Sequence, residues 1–461
     1  MLNSIRAIFA GTILLFSGAQ AAKADTPPAP ITDVVEDTDV QTPDISDSSV
    51  EETAPVISPL PEVISSPLPP VYQPPAARGD FNKNFEFEQC TLDKTTPYIQ
   101  DMTTVHKYTL NPRTVPRVQS EGLSRTEIRN AQTQLRTLGF DIAADGIQGR
   151  YTTLAVMQFQ MLYGPVDNAL TVDGVLNSAT LDRLYYYAEQ AERDAETYDV
   201  PAYAMAAIRL AEMRLGADFE FMTDLAHQES TFRKNVRART SSAAGMYQFT
   251  IDTWLNNVYR QGCDYGFQDY ADMITYELEE LTPWQIRHDR EARIRPTIKD
   301  NFERASILGM RNSHFLSTLM AVENSAYEIA LVESFLGREI TTNTEKYIVH
   351  FLGIEDSYFF FKAFDENPDA IAADLLVEPA RSNQRVFYNR RGKNKTARTY
   401  QQVFDYFEEK FTTERYQQQY AFNTFGEYQQ SLLAMNDVET PGNNPRDIAS
   451  IDTPKIDPPT P

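Results

Sequence analysis

Near the middle of the chain stands the run Ala226-His227-Gln228-Glu229-Ser230, and about sixteen residues further on stands Gly245-Met246-Tyr247-Gln248. Apolar residues recur between Phe219 and Ser230 with the spacing of three and four that predicts an amphipathic helix. Glu229 falls on the same face as these apolar residues. The face is made by Met222, Leu225, Ala226 and Glu229.

The position of Glu229 suggests a role in acid catalysis. Burial beside apolar groups raises the pKa of a carboxyl group, and a general acid must hold its proton near neutral pH. An exposed glutamate at a helix end is the alternative, and it is common. The loop that follows favours the catalytic interpretation.

That loop, Thr240 to Gly245, is made of small residues, and Gly245 would let the backbone approach a bulky ligand. Met246 could offer an apolar contact, Tyr247 an aromatic surface and Gln248 an amide for hydrogen bonding. Packing in the core is an equal alternative for Tyr247. The pattern therefore predicts a binding surface next to Glu229.

A separate module, from about 115 to 188, contains two similar half-motifs. Each has an Asp-Gly pair, Asp145-Gly146 and Asp173-Gly174, about twenty-eight residues apart. In each pair the glycine can take a positive φ in a turn, and a helix with a polar start follows. The pattern predicts a small helical unit with an internal repeat.

The run from Asp145 to Gln160 resembles the small three-helix peptidoglycan-binding domain, whose repeats read Asp-Gly-x-x-Gly-x-x-Thr-x-x-Ala-Val-x-x-Phe-Gln. The second half-motif has Asn177 where the family has its later glycine. The resemblance implies binding to peptidoglycan glycan strands. A purely structural helical module is the alternative.

Two motifs in the second half of the chain resemble the soluble lytic transglycosylase family, which has a lysozyme-like fold. They are Glu229-Ser230-Thr231-Phe232 and Gly245-Met246-Tyr247-Gln248, spaced about one residue further apart than is usual. Where the family commonly has Asn-Pro, this chain has Arg233-Lys234. The resemblance implies a mainly α fold, Glu229 as the single catalytic acid and base, and no metal or other cofactor. It also implies a substrate-binding role for Ser230 and for the Gly245–Gln248 segment.

The family also has a late Tyr-Asn-Ala-Gly motif that contributes an active-site tyrosine. The counterpart here is His350-Phe351-Leu352-Gly353, preceded by Tyr347. If the glycine is aligned, His350 takes the place of the tyrosine. If the ring chemistry is retained, Tyr347 does. Both are therefore predicted substrate-binding residues.

The mechanism that the resemblance implies is non-hydrolytic and leaves a 1,6-anhydromuramyl end. A hydrolytic muramidase of lysozyme type and a non-catalytic wall-binding scaffold are the alternatives. Ordinary glycosidases use two carboxylates, and no second one near Glu229 has comparable support. Asp252 is interpreted as a solvated residue at the start of a helix, where negative charge is favoured.

The ends of the chain have a different composition. Arg6 and a short apolar core precede small residues around Ala24, which predicts a cleaved signal peptide and a periplasmic or secreted protein. No later segment is apolar enough to span a membrane. From 25 to 78 about ten acidic residues stand against one basic residue, with about a dozen prolines, so an extended linker is expected.

The net charge of −23 disfavours nucleic acid as a partner. The five histidines do not have the paired spacing of a zinc site. Cys90 and Cys263 could form a disulfide bond or remain two separate thiols.

The predicted organisation is a signal peptide at 1–24, a linker at 25–78, a pre-domain segment at 79–114, the small module at 115–188, a connecting helix at 189–215 interrupted at Pro201, the catalytic domain at 216–436 and a tail at 437–461.

Overall fold

The computed structural model describes residues 73–76, 88–91, 97–239, 241–280, 294–389 and 395–411. The predicted signal peptide and tail lie outside these residues, as does the linker apart from 73–76. No helix within the described ranges is long and apolar enough to cross a membrane.

The described chain is mainly helical, which confirms the predicted fold class. The helices are α1 (Pro97–Leu110), α2 (Arg125–Thr137), α3 (Arg150–Tyr163), α4 (Ser178–Tyr198), α5 (Ala202–Leu215), α6 (Phe219–Ser230), α7 (Ile251–Gln261), α8 (Gln268–Met273), α9 (Asn301–Gly309), α10 (His314–Leu336), α11 (Asn343–Glu366), α12 (Ala372–Leu375), α13 (Val377–Ser382), α14 (Gln384–Phe387) and α15 (Tyr400–Phe411). Short 3-10 turns lie at Pro112–Thr114, Gly262–Tyr265 and Met310–Asn312. Strands β1 (Thr275–Leu278) and β2 (Ile294–Thr297) form an antiparallel pair in which Thr275 lies opposite Thr297.

The second module, the part of the chain from 216 onwards that the sequence predicts to be the catalytic domain, is built around α10. Every residue of this helix from His314 to Ser325 is buried, as expected for a helix that is enclosed on all sides. Helices α5, α7 and α11 pack around it, and α6 lies against α5 and α11. The helix that ends at Glu229-Ser230 is therefore held by the same neighbours that enclose the core.

The internal repeat of the first module is visible in its hydrogen bonds. Gln132 and Gln160 stand twenty-eight positions apart, and both are fully buried. The Gln132 side chain bonds Asp145 Oδ1 at 3.0 Å, Ile147 O at 3.1 Å, Thr152 Oγ1 at 2.9 Å and Gly146 N at 2.8 Å. The Gln160 side chain bonds Asp173 Oδ1 at 2.9 Å, Val175 O at 3.2 Å, Thr180 Oγ1 at 3.2 Å and Gly174 N at 2.8 Å. In each half, one buried amide therefore joins a helix to its Asp-Gly turn.

We expect Gln160→Met to lower the free energy of unfolding by about 2–3 kcal/mol. The thioether keeps the volume but leaves the buried Gly174 amide without its acceptor, and an unsatisfied buried group is costly. Urea unfolding followed by circular dichroism measures the change. The same substitution at half-buried Gln134 on α2 is the control, with an expected change within about 0.5 kcal/mol. Equal effects at the two positions would contradict the prediction.

The predicted boundary at 188 falls inside α4, which continues to Tyr198. The predicted interruption at Pro201 is confirmed, since Asp199 is left-handed with φ 54° and α5 begins at Ala202. Across this break, buried Arg209 on α5 donates to Asp194 Oδ2 on α4 at 2.8 Å. This buried ion pair therefore joins α5 to α4 across the break.

The two modules also touch through the turn after α2. The carbonyl oxygen of Leu138 lies 2.8 Å from His314 Nε2, and that of Gly139 accepts from Lys234 Nζ at 2.8 Å. Gly139 has φ 93°, and a Cβ there would lie 2.6 Å from the His314 ring. Lys234 follows Glu229 by only five positions. The first module therefore braces the loop that leaves α6.

Buried histidines predict a pH dependence of stability. Burial lowers the pKa of His314 to about 3, with a further contribution from the charge of Lys234. Burial likewise lowers the pKa of His106 to about 4, although its contact with the Tyr265 carbonyl acts in the opposite direction. Both rings therefore stay neutral in the folded protein at pH values where they are protonated in the unfolded chain.

Stability should therefore fall as pH falls from about 6.5, the unfolded pKa of histidine, towards these folded values. Each ring contributes up to about 1.4 kcal/mol per pH unit in that window. Urea unfolding between pH 7 and pH 5 measures the slope. His314→Gln should make the slope shallower, and an unchanged slope would contradict this account.

Cys90 and Cys263 are joined by a disulfide bond with a Cα–Cα distance of 6.0 Å, which settles the pairing that the sequence left open. The Cys90 amide also donates to the Tyr259 carbonyl oxygen at 3.0 Å. Helix α1 lies against the turn that carries Cys263, where His106 Nε2 is 2.8 Å from the Tyr265 carbonyl oxygen. The pre-domain segment is thereby attached to the second module.

Candidate active site

Glu229 lies in the last turn of α6, and the helix has the predicted bounds, Phe219–Ser230. The helix begins at Asp218, whose side chain accepts from the Phe221 amide at 3.0 Å. The predicted apolar face is buried, since Leu225 and Ala226 are both fully enclosed. The Glu229 side chain is only 2% exposed. The carboxyl group is therefore shielded from water, although the residue as a whole is half-buried.

The chain leaves α6 in an unusual backbone conformation. Thr231 and Phe232 both have positive φ, 53° and 61°, which is uncommon for residues other than glycine and concentrates at functional sites. Phe232 is buried, and its carbonyl oxygen accepts from the Tyr203 hydroxyl at 2.7 Å. Contacts from α5 therefore hold the turn that follows Glu229.

Ser230 does not present its side chain to a substrate. It is 3% exposed, and its hydroxyl donates to the Ala226 carbonyl oxygen at 3.4 Å, one turn back along α6. Its carbonyl oxygen accepts from Arg233 Nε at 2.8 Å. The predicted binding role of Ser230 is therefore corrected to a role at the end of the helix.

Gly245 is required for packing, and its predicted role in ligand binding remains a prediction. It has φ 82°, and a Cβ built there would lie 1.9 Å from the Arg311 carbonyl oxygen. The Arg311 guanidinium holds the same loop, because Nη1 donates to the carbonyl oxygens of Ser242 at 2.7 Å and Phe249 at 3.0 Å. Thr240 lies outside the described residues.

The next two predicted contacts are also part of the core. Met246 and Tyr247 are 0% and 2% exposed, and the Tyr247 hydroxyl donates to the Met222 carbonyl oxygen on α6 at 3.2 Å. Burial raises the pKa of Tyr247. The predicted sugar contacts of these two side chains are therefore corrected, and the core alternative describes Tyr247.

Gln248, predicted as a substrate-binding residue, makes its side-chain hydrogen bonds within its own loop. It has φ 49°, and its Nε2 donates to the Gly245 carbonyl oxygen at 2.7 Å and to that of Val236 at 3.4 Å. These two hydrogen bonds link Gln248 to both sides of its own loop. The Gly-x-x-Gln segment thus supports α6, because the Tyr247 hydroxyl donates to the Met222 carbonyl oxygen on that helix.

The late motif lies on α11, at a break in the helix. Gly353 has φ 76° and ψ 172°, which are not helical values. One turn before it, His350 Nε2 lies 3.4 Å from Glu229 Oε1, an ion-pair distance rather than that of a short hydrogen bond. The His350 side chain is 21% exposed. The structure therefore places His350, of the two candidate rings, against Glu229.

Tyr347 lies deeper, at 1% exposure, with its ring 5.5 Å from that of Phe407 on α15. Burial, and then the nearby charge of Glu229, raise the pKa of Tyr347. Its predicted contact with substrate is corrected, because the side chain is enclosed. The Tyr347 hydroxyl still lies close enough to Glu229 to be affected by the charge of its carboxylate.

Charged residues around the pair were missed by the sequence-based prediction. Glu328 on α10 lies near His350, and Lys410 in the last turn of α15 lies near Glu229. Burial raises the pKa of Glu328 and lowers the pKa of Lys410. Glu328 stands on a mostly buried helix and Lys410 on one that alternates apolar and charged residues, and neither belongs to a local motif. No sequence pattern could therefore have singled them out.

Asp252 lies in the first turn of α7, as predicted. It is not merely solvated, because its Oδ2 is 3.0 Å from Arg295 Nη1 on β2. Within the described part of the chain, no group of three or more histidine, cysteine, aspartate or glutamate side chains is arranged to hold a metal ion.

Comparison with known protein families identifies the first module. The family described as "Putative peptidoglycan binding domain" matches residues 124–184. The first module is a peptidoglycan-binding domain. The match spans α2, α3 and the start of α4, and it ends before the module that carries Glu229. Such a domain indicates a cell-wall-associated, extracytoplasmic location.

Proposed function

We propose that the protein is a peptidoglycan lytic transglycosylase in which Glu229 is the single catalytic acid and base. The observation that carries the proposal is the buried Glu229 carboxyl group facing His350 at 3.4 Å, at the helix break marked by Gly353. A shielded carboxyl group with an ionisable neighbour suits proton transfer. Two of the motifs that resemble the transglycosylase family, those of Glu229 and of His350, are in contact at this point.

In the proposed reaction Glu229 gives its proton to the glycosidic oxygen between N-acetylmuramic acid and N-acetylglucosamine, and the C1–oxygen bond breaks. The muramyl acetamide stabilises the charge that develops at C1. Glu229, now ionised, takes the proton from the muramyl C6 hydroxyl, whose oxygen then forms a bond to C1. No water is consumed, and Glu229 ends the cycle protonated as it began.

The peptidoglycan-binding domain supports this proposal by bringing the site to its substrate. Its turn at Leu138-Gly139 is bonded to His314 and to Lys234, close to the end of α6. The domain would thereby keep the second module, which carries Glu229, at the cell wall.

Mass spectrometry of the soluble products from purified peptidoglycan tests the proposal. We expect muropeptides that end in the 1,6-anhydro sugar. Products one water heavier, with a reducing end, would replace the proposal with a hydrolytic muramidase. Retained wall binding without any product would favour a non-catalytic wall-binding scaffold.

A further inference from the structure

The last described part of the chain carries a row of cations and tyrosines, here called the cation–tyrosine row. Its members lie on the paired segments 387–389 and 395–398 and on α15. Lys395 is exposed and the other members are half-buried. The members are Tyr388, Lys395, Arg398, Tyr406 and Lys410. Positive charge is concentrated here in a chain whose net charge is −23.

Arg398 stands at the centre of the row and is held by neutral groups. Its Nη1 donates to the carbonyl oxygens of Arg385 at 2.9 Å and Val386 at 2.8 Å, and its Nε donates to Asn389 Oδ1 at 2.8 Å. Among the described residues its Nη2 has no acceptor and its guanidinium forms no ion pair. Glu409, exposed on α15, acts on it through charge alone. The cation is therefore fixed in place without a carboxylate partner.

Each tyrosine ring of the row lies beside a cation. Arg398 Cζ is 4.7 Å and Lys410 Nζ 5.1 Å from the centre of the Tyr406 ring. Lys395 Nζ is 4.1 Å from the centre of the Tyr388 ring. Guanidinium and ammonium groups can only donate hydrogen bonds, and like charges repel each other. The row is therefore suited to an anionic ligand that accepts hydrogen bonds.

The row ends next to the proposed site of cleavage. Phe407 lies one turn before Lys410 on α15, and its ring is 5.5 Å from that of Tyr347 and 5.0 Å from that of Phe351 on α11. Residues three positions apart share a helix face, so Lys410 lies on the face of α15 that meets α11. Between Tyr347 and Phe351 in the chain stands His350, which contacts Glu229. A ligand on the row would therefore extend towards Glu229.

We propose that the cation–tyrosine row binds the free carboxylates of the peptides attached to muramic acid in peptidoglycan. This inference rests on the proposed function, because it names the form of strand that Glu229 would cleave. In an intact wall the free carboxylates are those of these peptides. Arginine and lysine pair with carboxylates through charge-assisted hydrogen bonds, and the peptidoglycan-binding domain indicates that the wall is the surroundings of the protein.

Sedimentation with insoluble peptidoglycan at low ionic strength measures the contribution of the row. All proteins carry Glu229→Gln so that the wall is not cleaved during the measurement. Adding Lys395→Gln and Lys410→Gln should raise the dissociation constant about three- to tenfold, as expected for the loss of two solvent-accessible ion pairs. The control adds Lys107→Gln and Lys362→Gln at exposed positions elsewhere and should bind within about twofold of its parent. Equal binding by the two double variants would overturn the inference.

Lys395→Glu, in the same parent, excludes a folding defect as the explanation. Lys395 is exposed, so the substitution leaves the core unchanged while it reverses the charge beside Tyr388. Binding to the same wall should weaken about three- to tenfold, with an unchanged Tm. Binding as tight as that of the parent would contradict the proposal.

Peptidoglycan whose carboxyl groups have been converted to amides tests the chemistry of the ligand. On this wall the double variant of the row and its control should bind alike. A deficit that persists there would mean that the row contacts something other than carboxylates, and the inference would fail. Vesicles that contain phosphatidylglycerol test an anionic membrane as the partner. Loss of vesicle binding in the row variant, with wall binding unchanged, would assign the row to the membrane instead.

These binding measurements are separate from the test of catalysis. If wall binding depends on the row and on free carboxylates, but the protein with Glu229 intact releases no anhydromuramyl product, the proposed function fails and the binding surface stands. If that protein releases the product but the row variant binds the wall like its control, the inference fails and the proposed function stands.

Discussion

Glu229→Gln should reduce the release of anhydromuramyl products by at least about 10³-fold. The amide can neither protonate the leaving oxygen nor accept the C6 hydroxyl proton, and general acid–base catalysis by one group contributes on the order of 10²–10⁴. The amide keeps the size of the side chain but loses the charge that faces His350 at 3.4 Å. Loss of one partner of a buried ion pair is destabilising, so we expect a lower Tm with the helical fold retained.

The matched control is Glu220→Gln, the same change in the first turn of the same helix. It should retain both activity and wall binding. Product release is measured by mass spectrometry, and binding by sedimentation with insoluble peptidoglycan. Glu229→Gln should sediment like the unchanged protein, because the substitution changes no residue of the peptidoglycan-binding domain. Full activity of Glu229→Gln would refute the catalytic assignment.

Local patterns in the sequence predicted the parts of the site that depend on neighbouring residues. The bounds of α6 follow from apolar residues spaced three and four apart and from Asp218 at its start. The repeated Asp-Gly turns of the first module follow from an internal repeat of about twenty-eight residues. In both cases the interactions that form the element join residues close in the chain, so periodicity and turn chemistry are sufficient.

Contacts between distant segments were not predictable in the same way. The partner of Gly245 is Arg311, and Glu328, whose charge acts on His350, stands on another helix. Nothing in the sequence around Glu328 distinguishes it from other polar residues on a long, mostly buried helix. Met246 and Tyr247, which the sequence analysis expected to form an exposed binding surface, are buried in the core. The local pattern missed this because it does not include contacts between distant segments. The neighbours of the two residues come from α6, which the local pattern could not place against them.

Gly245→Ala should be the most damaging single substitution for the fold of the second module. The new methyl carbon would lie 1.9 Å from the Arg311 carbonyl oxygen, a backbone atom that cannot rotate away. Overpacking costs about 1–3 kcal/mol, and the left-handed conformation, φ 82°, adds about 1–2 kcal/mol for a residue with a Cβ. The sum is a substantial fraction of a typical stability of about 5–15 kcal/mol.

Gly337→Ala separates the two contributions. Gly337 has φ 67°, but no atom lies within 4 Å of the position of a Cβ there, so only the conformational cost remains. We expect Tm to fall by about 10 °C in Gly245→Ala and by about 2–4 °C in Gly337→Ala, measured by scanning calorimetry. Equal shifts would mean that the loop can move away from Arg311. In that case the Gly-x-x-Gln segment would not be the rigid support beneath α6, and the position of Glu229 would have to be fixed by α5 and α11 alone.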